Sequence, residues 1–397
     1  MFELVQPAPA DPIFGLSEAY AADPRSDKIN LTVGIYKDED GRTPVLASVR
    51  IAQARVMDAE KSKSYAPIPG APAFGRAVRQ LLFGADHPLV DDGRAFTAHC
   101  AGGTGALRIA GAYMHALHPQ SRLWHSQPTW ANHGGIYGEV GMELCQFPYL
   151  DAAGTGLDFE AMCAALQGLR SGDVVLLHGC CHNPTGIDPT PEQWREIGRI
   201  IAACDAMPLV DFAYQGFAVD LEADAAGLRA IAAQVDEFMV CSSFSKNFGL
   251  YNGRVGAVTV VAGSSAAAAA VGSHINLRIR RIWSNPPAHG AAIVTTIMGD
   301  AALRQQWLTE LAAMRDRIVA MRSGFVAGLA AEGVMGFEFI GRQHGMFSMT
   351  GLSGEQVDAL RTQHGVYALR NGRVNFAGMT QATMPRLCRA IAAVLAD

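Results

Sequence analysis

The sequence predicts an α/β fold with a largely parallel sheet, and three observations lead to this prediction. Apolar, strand-like segments alternate with helical patterns from about residue 95 to residue 262. One of these segments, residues 173–178, is a nearly continuous apolar run, which is typical of a buried strand. Short polar motifs follow several strand ends, which is where ligands bind in sheets of this kind.

The size and charge of the chain restrict its function. Its 397 residues suit two domains, and 49% hydrophobic with 17% charged residues is the profile of a globular protein. The formal net charge of −5 at pH 7 offers no electrostatic attraction for nucleic acid or for an anionic membrane surface. We therefore expect neither partner and expect small-molecule ligands instead.

The eight cysteines indicate a reducing compartment. They are scattered, with one adjacent pair at Cys180 and Cys181, and they form neither a CxxC motif nor Cys/His metal spacing. The N-terminus shows neither the basic region nor the long apolar region of a signal peptide, and no apolar run reaches the length of a membrane span. We therefore expect a cytoplasmic protein that binds no metal and no membrane.

Periodicity and turn residues place the elements in order. The helical patterns cover residues 13–20, 48–61, 72–83, 106–117, 158–169, 264–276 and 300–332, and two more helices begin near Ser353 and Thr383. The strand patterns of the central region cover residues 95–98, 122–125, 143–147, 173–178, 208–211, 237–241 and 256–262. Prolines mark boundaries: Pro67 and Pro69 make a rigid loop after the second helix, and Pro286 and Pro287 form a helix stop.

The two ends of the chain differ from its middle. Residues 1–12 are rich in proline and alanine and predict an extended arm, which either lies on a partner subunit or is a disordered tail. Short strand patterns alternate with helices in the C-terminal part, at residues 336–340, 345–349, 365–369 and 373–378. With a strand at residues 28–36, this part predicts a smaller α+β domain. We assign residues 13–44 and 314–397 to it and residues 45–313 to a large domain.

A glycine-rich turn, Gly102-Gly103-Thr104-Gly105, follows the strand at residues 95–98 and opens a helix. Backbone N–H groups at such a helix start, unobstructed by side chains, suit a phosphate group. The turn is neither a Walker loop nor a GxGxxG motif, because the lysine and the spacing are absent. It predicts a phosphate site, and a tight strand-to-helix turn without a ligand is the alternative.

Polar residues at three further strand ends complete the predicted site. Asn183 follows one strand, and Asp211 and Tyr214 follow the next. Lys246 follows a third, with Arg254 eight residues on. A lysine in a partly dry pocket has a depressed pKa, and its neutral amine can form a Schiff base with a carbonyl such as the aldehyde of pyridoxal phosphate (PLP). Taken singly, these residues also allow plainer roles: a solvated lysine loop, a capping Asp211, and a turn at Asn183.

Together the motifs resemble those of the class I aminotransferases, which are PLP enzymes of fold type I. The segments CHNPTG, DFAYQGF, SKNFGLYNGRVG, SNPPAHG and GMFS occur in this order over most of the chain and are similar to those of bacterial aspartate and aromatic amino acid aminotransferases. Five motifs in one order and spacing are highly specific. The resemblance implies a large domain whose mostly parallel seven-stranded sheet lies between helices, a smaller α+β domain, and a homodimer with shared active sites.

The resemblance also implies roles for the residues at the cofactor ring. Lys246 would hold PLP as a Schiff base and then move the proton of the substrate. Asp211 would pair with the pyridine nitrogen and keep it protonated. Tyr214 and Asn183 would hydrogen-bond the phenolic oxygen. Trp130 would stack on the ring, although a core position is the commoner fate of a tryptophan.

The phosphate and the substrate have their own implied residues. Gly103, Thr104, Ser243 and Arg254 would hold the phosphate, and Tyr65 would reach it from the other subunit, whereas composition alone suggests an exposed loop aromatic. Arg373 would bind the α-carboxylate of the substrate. The other implied substrate positions are Gly34, Trp130, Asn183 and, across the dimer toward a dicarboxylate side chain, Arg280. The implied residues behind Asp211 are His133 and His178.

The preferred substrate is less clearly marked. The positions that resemble the aspartate enzymes are Lys37, Thr43, Thr104 and Asn285. Residues 23–28 and 83–88 resemble the aromatic enzymes instead. We expect transamination of L-aspartate with 2-oxoglutarate to give oxaloacetate and L-glutamate, with aromatic amino acids as additional substrates. An aminotransferase whose main activity is on tyrosine and phenylalanine is the alternative. Two other PLP classes are weaker: a regulator would need a DNA-binding module, and a β-lyase or decarboxylase would have less need for Arg280.

Overall fold

The computed structural model describes residues 2–7 and 14–396. Residues 1 and 8–12 of the predicted arm therefore lie outside the described residues. The chain divides into a smaller unit, Met1–Thr43, Ile318–Arg342 and Met346–Asp397, and a larger unit, Pro44–Arg317 and Gln343–Gly345. Among the described residues, no helix combines the length and apolar character that a membrane crossing needs.

The described residues form strands, α-helices and a few short 3-10 helices. The strands are β1 Ile29–Asn30, β2 Ala95–Ala101, β3 Arg122–Gln127, β4 Glu143–Pro148, β5 Val174–His178, β6 Met207–Phe212, β7 Phe238–Ser243, β8 Val255–Val261, β9 Phe347–Met349, β10 Val366–Tyr367 and β11 Arg373–Asn375. The α-helices are α1 Phe14–Ala22, α2 Ala47–Ala59, α3 Pro72–Phe83, α4 Gly102–Leu117, α5 Asn132–Val140, α6 Phe159–Leu166, α7 Pro191–Ala203, α8 Leu221–Asp224, α9 Ala226–Ala232, α10 Ser265–Ile282, α11 Ala288–Gly299, α12 Ala301–Ala331, α13 Gly354–His364 and α14 Met384–Ala396. The 3-10 helices are Phe2–Leu4, Pro88–Val90, Glu338–Arg342 and Phe376–Gly378.

The larger unit is built on one seven-stranded sheet, with the strand order β2-β8-β7-β6-β5-β3-β4. Strand β8 runs antiparallel to both of its neighbours, and the other pairs are parallel. The predicted mostly parallel seven-stranded sheet is therefore confirmed. Its register aligns the ends of the central strands, with His178 opposite Asp211 and Phe212 opposite Ser242. Residues that follow β5, β6 and β7 thus meet at one edge of the sheet.

Helices cover both faces of this sheet. Along β5, every residue is buried, and alternate residues join two different apolar clusters. Val174 and Leu176 pack with α4 and α10 on one face, whereas Val175 and Leu177 pack with α6 and α7 on the other. Because side chains alternate across a strand, a strand between two helical layers must be apolar at every position. This explains the continuous apolar run from which the fold class was predicted.

Helix α4 begins four residues earlier than its apolar pattern indicates. The sequence predicts its start near Ala106, whereas the helix runs from Gly102, directly after β2. Gly102 has a φ of +75°, which a residue with a side chain rarely adopts. A Cβ on Gly256 of β8 would lie 2.4 Å from the carbonyl carbon of Gly102, so two backbones touch here. The early start puts Gly103 and Thr104 in the first turn of the helix.

The smaller unit contains two short sheets. Strand β1 pairs in parallel with β10, and β9 pairs antiparallel with β11. The strand predicted over residues 28–36 is wrong beyond Asn30, because side chains take over its hydrogen bonds: Asn375 donates from Nδ2 to the carbonyls of Val33 and Ile35. The strand predicted over residues 336–340 is also wrong, since the chain forms a 3-10 helix at Glu338–Arg342.

One further helix is longer than predicted, and another was not predicted. Helix α10 continues to Ile282, six residues beyond its predicted end at residue 276, so Arg280 lies in its last turn rather than after it. Helix α11 lies between α10 and α12, where the sequence analysis assigned no helix. Most residues of α11 are apolar, so the helix lacks the alternation of apolar and polar residues that marks an amphipathic helix.

Candidate active site

Lys246 lies in the turn that follows β7 and is partly buried. Its Nζ is 4.8 Å from the centre of the Tyr214 ring. Burial lowers the pKa of Lys246 to about 8; Asp211 opposes this effect and Arg254 adds to it. A substantial fraction of the amine is therefore neutral near pH 8, the state in which lysine is a nucleophile and a base.

Asp211 is a buried carboxylate in β6, at the edge of the sheet where Lys246 lies. Its Oδ2 is 3.0 Å from Nε2 of His133. Burial raises the pKa of Asp211, but the hydrogen bond from His133 and the charges of His133, His178 and Lys246 outweigh it, and the pKa lies below its usual value. Asp211 is thus an ionised carboxylate in a dry setting, which favours a protonated nitrogen as its partner.

A chain of hydrogen bonds continues behind Asp211. The hydroxyl of Thr129 is 2.9 Å from Nδ1 of His133 and 2.9 Å from Nε2 of His178. It donates to one ring and accepts from the other, so it joins the two imidazoles in one hydrogen-bonded chain. Burial lowers the pKa of His178 to about 3, so the imidazole at this end of the hydrogen-bonded series stays neutral. Both histidines were predicted to lie behind Asp211, whereas no role was predicted for Thr129.

Asn183 and Tyr214 come from the loops after β5 and β6. Both are buried, and Nδ2 of Asn183 lies 3.4 Å from the Tyr214 hydroxyl, to which it donates. The Trp130 ring precedes α5 and packs edge to face on His133, with 5.2 Å between the ring centres. The structure therefore brings together all five residues that were predicted to surround the cofactor ring.

The start of α4 forms a separate cluster with Ser243 and Arg254. A Cβ on Gly102 would lie 2.5 Å from Nη2 of Arg254, and a Cβ on Gly103 would lie 3.0 Å from Cβ of Ser243. Only glycine allows this approach. A guanidinium, a buried hydroxyl and the positive end of a helix dipole thus converge, and Thr104 lies in the same turn. This donor set fits a phosphate group.

Tyr65 and Arg280 lie on a common surface of the larger unit. Tyr65 is 89% exposed. Arg280 donates from Nη1 to the Ser284 hydroxyl, which contacts Asn285 Oδ1 at 2.9 Å. The Nδ2 of Asn285 then donates to the carbonyl of Ala66, at 2.7 Å. The loop of Tyr65 is therefore tied to the end of α10.

Arg373 and Gly34 belong to the smaller unit. Arg373 lies on β11, is 3% exposed and donates from Nη2 to the carbonyl of Thr32 at 2.6 Å. Its guanidinium carbon is 4.2 Å from the centre of the Phe347 ring. A Cβ on Gly34 would lie 2.5 Å from Cζ of the same ring. The two substrate positions predicted in this unit thus pack against one phenylalanine, which the sequence analysis did not single out.

Known proteins resemble this chain along its whole length. A family model described as aminotransferase class I and II matches residues 26–391. The chain is 51% identical to an aspartate aminotransferase of Salmonella typhi, with 100% of both chains covered. It is 44% identical to an aromatic-amino-acid aminotransferase of Pseudomonas aeruginosa, which covers 100% of this chain and 99% of that protein.

A solved structure is similarly close. The aromatic-amino-acid aminotransferase from Burkholderia pseudomallei, covalently bound to pyridoxal phosphate, superposes with a TM-score of 0.97 at 44% identity, over 100% of this chain and 99% of that one. This similarity confirms the predicted α/β fold of type I. The family match, the full-length relatives and the shared fold lead to one conclusion: the chain belongs to the class I and II aminotransferases.

Proposed function

We propose that this protein is a PLP-dependent aspartate aminotransferase, which transfers the amino group of L-aspartate to 2-oxoglutarate and forms oxaloacetate and L-glutamate. The observation that carries the proposal is the pair of Lys246 and Asp211: an amine that is readily neutral, at the same sheet edge as an ionised, buried carboxylate. The 51% identity to an aspartate aminotransferase over the whole chain supports the choice of substrate.

Bound PLP supplies an aldehyde that accepts the amino group and a protonated ring that accepts electrons from the substrate. Lys246 would hold the cofactor through its aldehyde carbon and, once free, would carry a proton to and from the α-carbon of the substrate. Asp211 would keep the pyridine nitrogen protonated. Asn183 and Tyr214 would hydrogen-bond the phenolic oxygen, and Trp130 would stack on the ring.

The cluster at the start of α4 binds the phosphate in this proposal. Gly103 and Thr104 offer N–H groups and a hydroxyl, Ser243 adds a second hydroxyl, and Arg254 adds charge. The close approach of Arg254 to Gly102 supports the assignment, because any side chain at position 102 would occupy the space of the guanidinium. Lys246 and Arg254 are eight residues apart, so one short segment binds both ends of the cofactor.

The substrate is held by its two carboxylates. Arg373 binds the α-carboxylate with its planar guanidinium, and Gly34 with Asn183 and Trp130 completes the contacts. Arg280 of one subunit binds the side-chain carboxylate in the active site of the other. An aromatic amino acid aminotransferase is the second candidate, favoured by the 44% identity to such an enzyme from Pseudomonas aeruginosa.

We further propose a homodimer in which the subunits complete each other's sites. The 89% exposure of Tyr65 supports this, because a phosphate-binding tyrosine that is solvated on its own chain needs a second chain to act. Residues 1–12 form an arm on the partner subunit. Residues 45–313 form the PLP-binding domain, with residues 13–44 and 314–397 as the small domain. The eight scattered cysteines, which form neither a CxxC motif nor Cys/His metal spacing, support a cytoplasmic location.

Half-reaction spectroscopy tests the activity. Adding L-aspartate to the PLP-loaded enzyme, without an oxo acid, should convert the cofactor absorbance to that of pyridoxamine phosphate, and 2-oxoglutarate should reverse it. Conversion by phenylalanine but not by aspartate would overturn the aspartate assignment in favour of the second candidate. The substitution Lys246→Ala should lower turnover by at least about 10⁴-fold, because nucleophile and base are lost together.

Mixed dimers test the shared site. Lys246→Ala and Arg280→Ala variants should each be nearly inactive on aspartate. After co-refolding in equal amounts, roughly half of the dimers are hybrids, and each hybrid contains one site with both residues intact. We expect about a quarter of the parent activity to return. No recovery in verified hybrids would show that Arg280 serves its own subunit.

A further inference from the structure

The ring of Phe347 supports the guanidinium of Arg373. The guanidinium carbon lies 4.2 Å from the ring centre, a distance typical of a cation–π contact. The backbone of Gly34 closes off the far end of the ring, since an added Cβ there would lie 2.5 Å from Cζ. Phe347 is buried, so its ring has little room to turn. A flat face against a planar guanidinium limits the tilt of that group.

Arg322 holds the backbone that carries this ring. Its side chain is 2% exposed and comes from α12. Nη2 donates to the carbonyl of Phe347 at 2.7 Å, and Nη1 donates to the hydroxyl of Ser348. The guanidinium carbon also lies 4.6 Å from the centre of the Phe376 ring. A rigid fork of donors thus binds two consecutive residues of β9.

The pairing of β9 with β11 connects the residues held by Arg322 to the strand that contains Arg373. Strands β9 and β11 pair over three residues, with Phe347 opposite Asn375 and Ser348 opposite Val374. A two-stranded pair of this length is marginal without further contacts. Arg322 supplies such contacts from α12, on the strand whose partner contains Arg373.

We propose that Arg322 and Phe347 are positioning residues for substrate binding: Arg322 fixes β9, and the Phe347 ring holds the Arg373 guanidinium in the orientation that receives the α-carboxylate. This inference rests on the proposed function, in which Arg373 binds that carboxylate. Both act through Arg373, so they affect carboxylate affinity before they affect the proton transfers at Lys246.

The test uses the PLP-loaded enzyme and the half-reaction with L-aspartate. Phe347→Leu removes the aromatic face and keeps an apolar side chain, and Arg322→Met removes the donors from β9. We expect each to raise the aspartate concentration at half-saturation about tenfold, with the limiting rate within about threefold of the parent. Arg322→Lys keeps one charged donor and should recover part of the affinity. Succinate, a dicarboxylate that cannot react, should show the same losses in a spectral titration.

Two reference variants separate the possible outcomes. Arg386→Met serves as the control, because Arg386 is another arginine of the smaller unit that donates to backbone carbonyls, those of Asp27 and His364. It should leave half-saturation unchanged. Arg373→Lys reports on the proposed function itself and should raise half-saturation. If it does so while folded Phe347→Leu and Arg322→Met match the parent, the positioning inference is wrong and the function stands. If Arg373→Lys leaves half-saturation unchanged, the proposed binding of the α-carboxylate by Arg373 is wrong, and the positioning inference is wrong with it.

Discussion

The two ends of the proposed cofactor site are built on different principles. The ring end, around Asp211, is buried, and a chain of hydrogen bonds runs through His133 to Thr129 and His178. The phosphate end consists of a helix start, the buried hydroxyl of Ser243 and the exposed guanidinium of Arg254. One end holds a charge in a dry interior, whereas the other presents its charged donor to solvent.

This contrast assigns a different task to each end. A buried carboxylate interacts strongly with a nearby proton because little water screens it, so the ring end controls protonation. An exposed arginine interacts through charge that water and salt weaken, so the phosphate end contributes affinity. Variants at the ring end should therefore change the rate and its pH dependence. Variants at the phosphate end should change how tightly PLP is held.

The largest effect is expected for Asp211→Asn. The amide keeps the shape but loses the charge that stabilises a protonated pyridine nitrogen, and we expect kcat to fall about 10³-fold. Cofactor occupancy should stay close to that of the parent, as measured by absorbance after gel filtration.

Asp173 is the matched control for this variant. It is also a buried aspartate of the larger unit, directly before β5, but it pairs with Arg122 rather than with a histidine. Asp173→Asn should lower the thermal stability and leave kcat per folded enzyme unchanged. An Asp211→Asn enzyme with parental kcat would remove the distinction between the two ends.

Arg254→Met should act on affinity. Loss of charge-assisted hydrogen bonds to the phosphate should weaken PLP binding by about 10- to 100-fold. With PLP in excess, kcat should remain within a few-fold of the parent. Equilibrium titration of the apoprotein measures the affinity, and Arg195→Met, at an exposed arginine of α7, is the control. A large fall in kcat at saturating PLP would place Arg254 in the chemistry instead.

The rate at which the apoprotein captures PLP should depend on pH through Lys246. Burial lowers the pKa of Lys246 from 10.5 to about 8, so the reactive neutral amine accumulates as the pH rises to 8. The rate at which the apoprotein captures PLP should rise about tenfold from pH 6 to pH 7 and level off above pH 8. Nα-acetyl-lysine, whose side-chain amine is exposed to water, should show a rise that continues beyond pH 9. The same late rise in the protein would mean that Lys246 is solvated.

The sequence was most informative where periodicity and glycine chemistry are strong. The continuous apolar run of β5 predicted a strand between two helical layers, and the glycines near residue 102 predicted a phosphate turn, although the helix starts four residues earlier than its apolar pattern. Strand residues beyond Asn30 were wrongly predicted, because the side chain of Asn375 bonds to Val33 and Ile35 from 340 or more positions away. Alternation along the chain carries no information on such a distant partner.

Site residues were predictable when a motif contained them, and they were missed when only the fold brings them into contact. Lys246 and Asp211 lie in motifs at strand ends. Phe347 lies in the GMFS motif, but its contact with Arg373 depends on the pairing of β9 with β11. Thr129 is four residues from His133, a spacing that suggests one contact, yet its second contact, to His178, crosses 49 residues.

Thr129→Val is therefore the finest test of the ring end. Valine has the same shape without the hydroxyl, so both imidazoles lose a hydrogen bond of about 1 kcal/mol, and we expect kcat to fall about three- to tenfold. Thr129→Ser keeps the hydroxyl and should match the parent within about twofold. If valine and serine lower kcat equally, the hydroxyl does not support the two imidazoles, and Asp211 depends on His133 alone.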